Sequence, residues 1–474
     1  MTSLEIYEIL ALVQKFAQKE KIECFLVGGY LRDQELNRKT KDLDFAISSD
    51  PKKIAEKVSK ELKSSFFALK EEREIYRMVL DNGLQLDFAR FKGATIEEDL
   101  SLRDFSINAL AKNMEQGNTL MDPYEGKRDI KEKKVRQIHE KIYEDDPLRL
   151  LRAFRIAAQL NFKIEPLTLE TIKKNKEKIL NVAEERVREE LLLLLDTPHS
   201  YPYLVELDQA GLISQIIPES DPNRNCALDY YPGKGVWGHC LDAVACLEWI
   251  LENLQNEFQE DQEKLKKLLF EEQGLDSHPM ATLMKMGTLL HDVGKAPTAK
   301  IVNGRLRFYE HQNIGAKITS LISQRLRFSF NASRHLSQMV LSHMRPGGLA
   351  HAPTLSDKAK FRFFRDLKNS ALPALIVSLA DRYTYLTPEE RGQNKDPHEK
   401  VVKDLIRWHY EKELEEVDKK PKLINGKIIM EHLALAPGPL IGRILKEVEE
   451  ATILGEIHSQ EEALTLAKKI IQEP

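Results

Sequence analysis

An α+β architecture is what this sequence predicts: a small head on a mixed β-sheet, followed by an all-α neck, body and tail. Three observations predict it. Between about Cys24 and Phe91 the apolar residues alternate with a period of two, whereas before and after that stretch the period is helical. Aromatic residues make up only 7% of the chain, while Lys, Glu and Leu are abundant, the composition of a mostly helical protein. The length of 474 residues exceeds what one hydrophobic core usually spans, so roughly three or four domains are expected. The expected division is 1–140 for the head, 141–215 for the neck, 216–400 for the body and 401–474 for the tail.

Residues 3–20 read as one amphipathic helix, with Thr2 and Glu5 spaced as a capping box. CFLV, DLDFAI, RMVLD and LQLDFARF then read as short strands separated by Gly, Asn and Asp turns. Beyond about residue 100 the pattern is helical almost to the end. The Pro/Gly-rich stretches Pro218–Gly235 and Thr387–His398 read as domain junctions. Cys24, Cys226, Cys240 and Cys246 fall in no zinc-type spacing and are expected to be reduced core thiols. The N-terminus has no secretory pattern, and no apolar run approaches about 18 residues. A soluble, cytoplasmic protein without a membrane partner is therefore expected.

An apolar fraction of 42% excludes wholesale disorder. The net charge of −4 speaks against a globally basic nucleic-acid coat, but it averages unlike segments. Lys127–Arg188 holds 17 basic and 11 acidic side chains, a local +6, and Glu252–Asp276 holds 8 acidic and 3 basic, a local −5. The basic stripe suits salt-dependent, sequence-independent contact with the phosphates of a nucleic acid.

The segment LVGGYLRDQELNRKTKDLDFAISSD carries the most chemistry. In DLDFAI, Leu43, Phe45 and Ile47 share one strand face while Asp42 and Asp44 share the other with Ala46. Carboxylates at i and i+2 stand roughly 7 Å apart, a spacing suited to Mg²⁺, which binds one or two carboxylates plus substrate phosphates. Asp87, in the alternating LQLDF run, is a candidate third carboxylate from a neighbouring strand. Two metals held this way clamp the attacking and leaving oxygens of a phosphoryl displacement. Gly28 and Gly29 sit where a strand turns into a helix, which lets backbone N–H groups approach a phosphate, and Arg32 lies one turn in.

GGYLRD followed by KDLDFAI resembles the nucleotidyltransferase superfamily, specifically the class II tRNA nucleotidyltransferases (CCA-adding enzymes) and the related bacterial poly(A) polymerases. LRDFSIN (Leu102–Asn108) is similar to the family's RRDFTxN element, which implies that Arg103 and Asp104, with Asn108, contact the incoming ribose. Leu102 stands where the family has its first arginine, so one such contact is absent. DPYEG (Asp122–Gly126) resembles the turn that ends the head, and EERVREEL (Glu184–Leu191) the neck helix. DDPLR (Asp145–Arg149) resembles the element that reads the incoming base, which implies that Asp146 takes the exocyclic amine of cytosine while Arg149 donates to its acceptors. At i and i+3 of an expected helix the two are neighbours, and the same pair, rearranged, serves adenine. Arg152 and Arg155 continue the series toward phosphate. Only Arg90–Glu98, RFKGATIEE, separates the LDF strand from DLSLRDF, a brevity that resembles the CC-adding subgroup.

His239, His291-Asp292 in LLHDVGK, His311, His343 and Asp381 form the order H…HD…H…H…D. Imidazole plus carboxylate suits Mn²⁺, Fe²⁺, Ni²⁺ or Zn²⁺. The set is similar to the HD phosphohydrolase superfamily, which implies metal-assisted attack of water on phosphomonoesters or 2′,3′-cyclic phosphates, with Lys295 near the phosphate. A fold that keeps these ligands without turnover is the alternative. Near the C-terminus, Pro437, Gly438, Pro439 and Gly442 form a tight turn into a helix, a phosphate-holding end or a plain hairpin turn.

The expected function is Mg²⁺-dependent, template-independent addition of CMP from CTP to tRNA 3′ ends. The alternatives are full CCA addition with ATP as well, poly(A) polymerase, protein uridylyltransferase, and a non-enzymatic RNA-binding module.

Overall fold

The computed structural model describes residues 6–114, 119–272, 274–351, 354–412, 423–453 and 455–472. The chain divides into two compact units, Met1–Pro218 and Glu219–Pro474. The expected mixed sheet lies in the first. Seven strands, β1 (Cys24–Val27), β2 (Asp42–Ile47), β3 (Phe66–Lys70), β4 (Ile75–Val79), β5 (Gln85–Arg90), β6 (Ala111–Asn113) and β7 (Leu120–Met121), pair in the order β3-β4-β5-β2-β1-β6-β7. Only β2 and β5 run parallel.

The period-two reading locates β1, β2 and β5, and it sets RMVLD two residues late against β4. Leu43, Phe45 and Ile47 are buried on one face, where Phe45 stacks on Phe88 at 5.2 Å. The helices Ile6–Glu20 and Pro51–Leu62 pack together beside this sheet through Ile9, Val13 and Ala17 of one and Ile54, Ala55 and Val58 of the other. Asp50 caps the second of these by accepting from the Lys53 amide. The expected Thr2–Glu5 capping box lies outside the described residues. The opposite sheet face is only partly covered, by a cluster of Phe25, Val27, Ala46, Phe91, Ile96, Leu100, Ala109 and Ala111. The uncovered remainder carries Asp42 and Asp44.

The expectation of helix alone after residue 100 is corrected by the return of β6 and β7 to the head sheet. Three- and two-residue strands leave no periodicity to read. A short parallel pair, Lys134–Val135 with Lys163–Ile164, and a hairpin, Lys300–Val302 with Arg305–Arg307, are further strands outside the head sheet.

In the second unit the Met280–Leu290 helix is buried on every side from Ala281 onward, which marks it as the centre of a bundle. Gly235–Glu252, Phe330–Ser342 and Ala371–Tyr383 pack around it. A separate apolar cluster, including Ile429, Ile444, Val448, Ala463 and Ala467, holds together the helices Gly426–Leu433, Pro439–Ile453 and Gln460–Gln472. The Thr387–His398 stretch is tied by the Arg391 guanidinium and the Gly392 amide to Tyr383, and by the Asn394 amide to Glu399. None of the four cysteines is disulfide-bonded, and Cys226 is half-buried rather than in the core. Among the described residues no helix is long and apolar enough to cross a membrane.

Candidate functional sites

The open face of the head sheet and the helices that follow enclose a cavity of about 980 Å³. Gly28, Gly29, Arg32, Asp42, Asp44, Arg103, Asp104, Asn108, Asp146, Arg149, Arg152 and Arg155 all line it. Asp42 is exposed at the start of β2, and Asp44 lies deeper, in register with Val27 of β1 and Asp87 of β5. Desolvation, then the negative charges of Asp87 and Asp42, push the Asp44 carboxyl up to about 6 against the pull of Arg103. A half-buried carboxylate beside two others is a group poised to receive a cation. Asp87 itself is held by Arg77, whose Nε and Nη2 donate to its two oxygens at 2.8 and 2.7 Å.

Gly28 turns β1 into the Gly29–Glu35 helix with φ +75°. A Cβ there would stand 3.0 Å from Arg103 Nη1 and 3.4 Å from Asp44 Oδ2. Gly28→Ala is therefore expected to combine left-handed strain of about 1–2 kcal/mol with a displaced Arg103. The expected readout is nucleotidyl transfer lowered about tenfold or more with the fold retained. Wild-type turnover in this variant would refute the close-approach reading.

Arg32, Asn108, Asp104 and Arg152 form one chain of contacts. Arg32 Nη1 donates to Asn108 Oδ1 at 2.7 Å, Asn108 Nδ2 to Asp104 Oδ1 at 3.0 Å, and Arg152 Nη2 reaches Asp104 Oδ2 at 2.8 Å. Burial by itself would raise the Asp104 carboxyl, but the Arg152 charge and the bonds from Asn108 and the Phe105 amide outweigh it and hold it at about 2. Asp104 is thus a fixed, ionised acceptor. Arg103 donates to Asp99, and Arg155 is tied to Glu190 at 2.6 Å and Gln159 at 2.8 Å.

Asp146 and Arg149 do not lie on one helix. Asp146 is extended between the helices Ile142–Asp145 and Arg149–Leu160. Instead of pairing with Arg149, it accepts from Arg186 Nη2 at 2.8 Å and from the Leu148 amide at 3.2 Å. Arg149 donates to the carbonyls of Leu102 at 2.7 Å and Ile142 at 3.3 Å. Both side chains line the same cavity, each held by a different partner. Much of the basic stripe is likewise paired, Arg136 with Asp129 and Lys178 with Glu144 among others.

In the second unit the six HD-pattern residues converge. His239 and Asp381 come from the helices Gly235–Glu252 and Ala371–Tyr383, while His291, His311 and His343 stand at helix ends. They form two triads, His239–His291–Asp381 and Asp292–His311–His343. Asp292 adjoins both: Oδ2 lies 3.3 Å from His291 Nε2 and 3.4 Å from His239 Nε2, and Oδ1 lies 3.3 Å from His311 Nε2. Gly294 allows this convergence, because a Cβ there would stand 2.2 Å from the His311 carbonyl oxygen.

The imidazoles are oriented from behind. Nδ1 of His291, His311 and His343 bonds the carbonyls of Thr288, Phe308 and Val340 at 2.7, 2.9 and 2.7 Å. That fixes Nδ1 as the donor and leaves an Nε2 lone pair facing inward. Nε2 of His239 and His291 and Oδ1 of Asp292 and of Asp381 are buried without a hydrogen-bond partner. Such a set of inward lone pairs fits divalent cations. Lys295 Nζ donates to Asp292 and, at 2.9 Å, to the Tyr231 hydroxyl, which meets the Tyr385 hydroxyl at 2.8 Å. A cavity of about 420 Å³ opens over these groups.

Sequence reasoning missed Asp99, Arg77, Arg186, Tyr231 and Tyr385. No local signal marks Arg77, Arg186, Tyr231 and Tyr385, which acquire their partners through contacts made by the fold, whereas Asp99 meets Arg103 four residues on, a spacing the sequence does show. The turn at Gly438 leads into the Pro439–Ile453 helix, beside a cavity of about 470 Å³ lined by Arg362, Arg365, Arg443 and Lys446.

Adjacent carboxylates on a sheet face, in one cavity with the Arg and Asp side chains of the elements that follow, are the arrangement of a nucleotidyltransferase, to which the second unit adds an HD-type cluster. The profile of the Poly A polymerase head domain matches residues 24–136, and that of the probable RNA and SrmB-binding site of polymerase A matches 161–223. The HD domain matches 236–386 and the putative tRNA nucleotidyltransferase domain 2 matches 393–467. A CC-adding tRNA nucleotidyltransferase of Geobacter sulfurreducens is 30% identical over 98% of this chain and 96% of its own length. An A-adding tRNA nucleotidyltransferase of Deinococcus radiodurans is 29% identical over 94% and 95%. A CCA-adding enzyme in its apo form shares the fold, with a TM-score of 0.66 at 19% identity over 98% of this chain and 94% of that one. The chain belongs to the tRNA nucleotidyltransferase family, and it is an enzyme.

Proposed function

We propose that this enzyme adds the two cytidylates of the CCA end to tRNA, using CTP and releasing pyrophosphate. The observation that carries the choice of CC over CCA is the connection between β5 and the Ile96–Ser101 helix, only residues 91–95. It is closed by bonds from the Lys92 amide to Asp99 and from the Ala94 amide to Glu98. So short and tied a turn has no reach with which to reshape the base pocket for ATP. The relatives include both CC-adding and A-adding enzymes, so similarity by itself does not decide.

Asp42 and Asp44 would hold Mg²⁺, which when bound supplies charge neutralisation at the triphosphate and activation of the tRNA 3′-hydroxyl. Gly28 and Gly29 admit the triphosphate close to the backbone, with Arg32 and Arg103 beside it. Asp104, Asn108 and Arg152 orient the ribose as a rigid acceptor–donor set. Asp146 and Arg149 read the amine and the acceptors of cytosine, and Arg155 extends the basic wall. Asp87, neutralised by Arg77, tunes the charge around Asp44. The basic stripe takes tRNA phosphates, and a cytoplasmic setting suits such a substrate. The HD cluster would hold divalent Mn, Ni, Fe or Zn and hydrolyse phosphomonoesters or 2′,3′-cyclic phosphates, Lys295 binding the phosphate.

The test incubates the protein with a tRNA transcript ending before CC, Mg²⁺, CTP and ATP. The expected product ladder stops at +2 with or without ATP. Extension to +3 in the presence of ATP would replace this reading by full CCA addition, and no incorporation would end it.

A further inference from the structure

The Asp146 carboxylate does not stand alone in the cavity. Its Oδ2 accepts from Arg186 Nη2 at 2.8 Å, across 40 residues of chain, and its Oδ1 accepts from the Leu148 amide at 3.2 Å. Arg186 belongs to a different element, the Glu184–Leu195 helix, whose own anchor is Glu190, buried against Arg155. Asp146 ends the Ile142–Asp145 helix, its amide donating to the Ile142 carbonyl at 3.2 Å, but its backbone turns extended at φ −149° and ψ 98°, so no helix face holds its side chain. The rotation of its carboxylate is therefore set by Arg186 from one side and by the Leu148 amide from the other.

We propose that Arg186 is a positioning residue for base discrimination: it clamps Asp146 so that the carboxylate meets the incoming base only as an acceptor in one orientation. The inference rests on the reading of Asp146 and Arg149 as the base-selecting pair. Each carboxylate oxygen has two lone pairs, and the two bonds just described leave one on each. A cytosine or adenine amine donates to a free lone pair. Uracil presents a carbonyl oxygen at that place, and two acceptors facing each other leave both unpaired and repelling. Rejection of UTP thus depends on a carboxylate that cannot swing away, and Arg186 prevents the swing. As an ion pair Arg186–Asp146 is half exposed, at 53% and 31%, and pairs of that kind contribute little to stability. A role confined to folding would leave discrimination untouched.

Steady-state addition to a tRNA transcript lacking CCA, by the full chain, is measured with CTP and with UTP for wild type, R186A, R186K and D146A. R186A is expected to raise KM for CTP about tenfold with kcat within about twofold, and to lower the CTP-over-UTP ratio of kcat/KM about tenfold or more. R186K, which keeps one charged donor, is expected to recover part of that ratio. A ratio unchanged in R186A while D146A collapses it overturns the clamp and spares the base-selecting reading. A ratio unchanged in D146A overturns both. Thermal midpoints of the four proteins within a few degrees of one another keep the comparison free of unfolding, and R186K carries the test if R186A fails to fold.

Discussion

Replacing Asp44 by alanine is expected to reduce nucleotidyl transfer about a thousandfold or more while leaving the head folded. Asp44 is half-buried on β2, in register with Asp87 and two residues from Asp42, so the variant removes the group best placed to bring a cation to the triphosphate. Its surroundings also predict a pH dependence. With its carboxyl pushed up to about 6 by desolvation and by Asp87 and Asp42, Asp44 must lose a proton to take a metal. Apparent Mg²⁺ affinity is expected to be flat above about pH 6 and to fall about tenfold per pH unit below it. For the metal-free protein the sign is opposite: the folded state binds the extra proton, so the contribution of Asp44 to stability is fully present below about pH 4 and is lost as pH rises through about 6. Mg²⁺ titrations of transfer at pH 5, 6 and 7 check this, and equal midpoints at all three would refute it. Asp42→Ala should show the same loss of activity.

Replacing Asp292 by alanine is expected to abolish transition-metal binding in the second unit while leaving CMP addition intact. Asp292 offers one oxygen to each of the two histidine sets, so its loss removes the ligand both triads share a contact with. Metal analysis after dialysis against Mn²⁺ or Ni²⁺ should find about two ions per wild-type chain and affinity weakened more than about a hundredfold in the variant. Binding to the folded state also raises the wild-type melting temperature, by the equivalent of about 2.7 kcal/mol at a hundredfold excess over the dissociation constant, and that shift should vanish in Asp292→Ala. His311→Ala should lose one ion and keep the other. Equal metal content in wild type and Asp292→Ala would exclude the cluster as a metal site. His291→Ala is expected to remove any phosphatase activity and to leave CMP addition unchanged.

Much of the candidate site in the head was legible in the chain because its residues are packed into short segments. DLDFAI displays its aspartates by simple alternation, and Gly28 has a positive φ that a glycine accepts at no steric cost. The same locality explains the errors. RMVLD sits two residues from its strand, and FFALK and AKN carry too little alternation to reveal β3 and β6. The i, i+3 spacing of Asp146 and Arg149 suggested neighbours on a helix, whereas Pro147 and an extended Asp146 break that helix and hand each side chain to a distant partner.

The order H…HD…H…H…D was visible without coordinates, yet not its division into two sets around Asp292, which depends on how closely Gly294 lets the His311 backbone approach. What the chain by itself determined is the class of protein: an α+β head with an aspartate pair, a largely helical remainder and most of the residues that line the two candidate sites. Local rules suffice for that, since strand alternation and turn residues act over a few positions. Only the tertiary structure decided which groups meet. Arg77 on Asp87, Arg186 on Asp146, Arg152 on Asp104 and Tyr231 on Lys295 join positions 10, 40, 48 and 64 residues apart. Such pairings are set by packing and, for the buried Asp104, by the need of a buried charge for a partner, neither of which rules acting over a few positions contain.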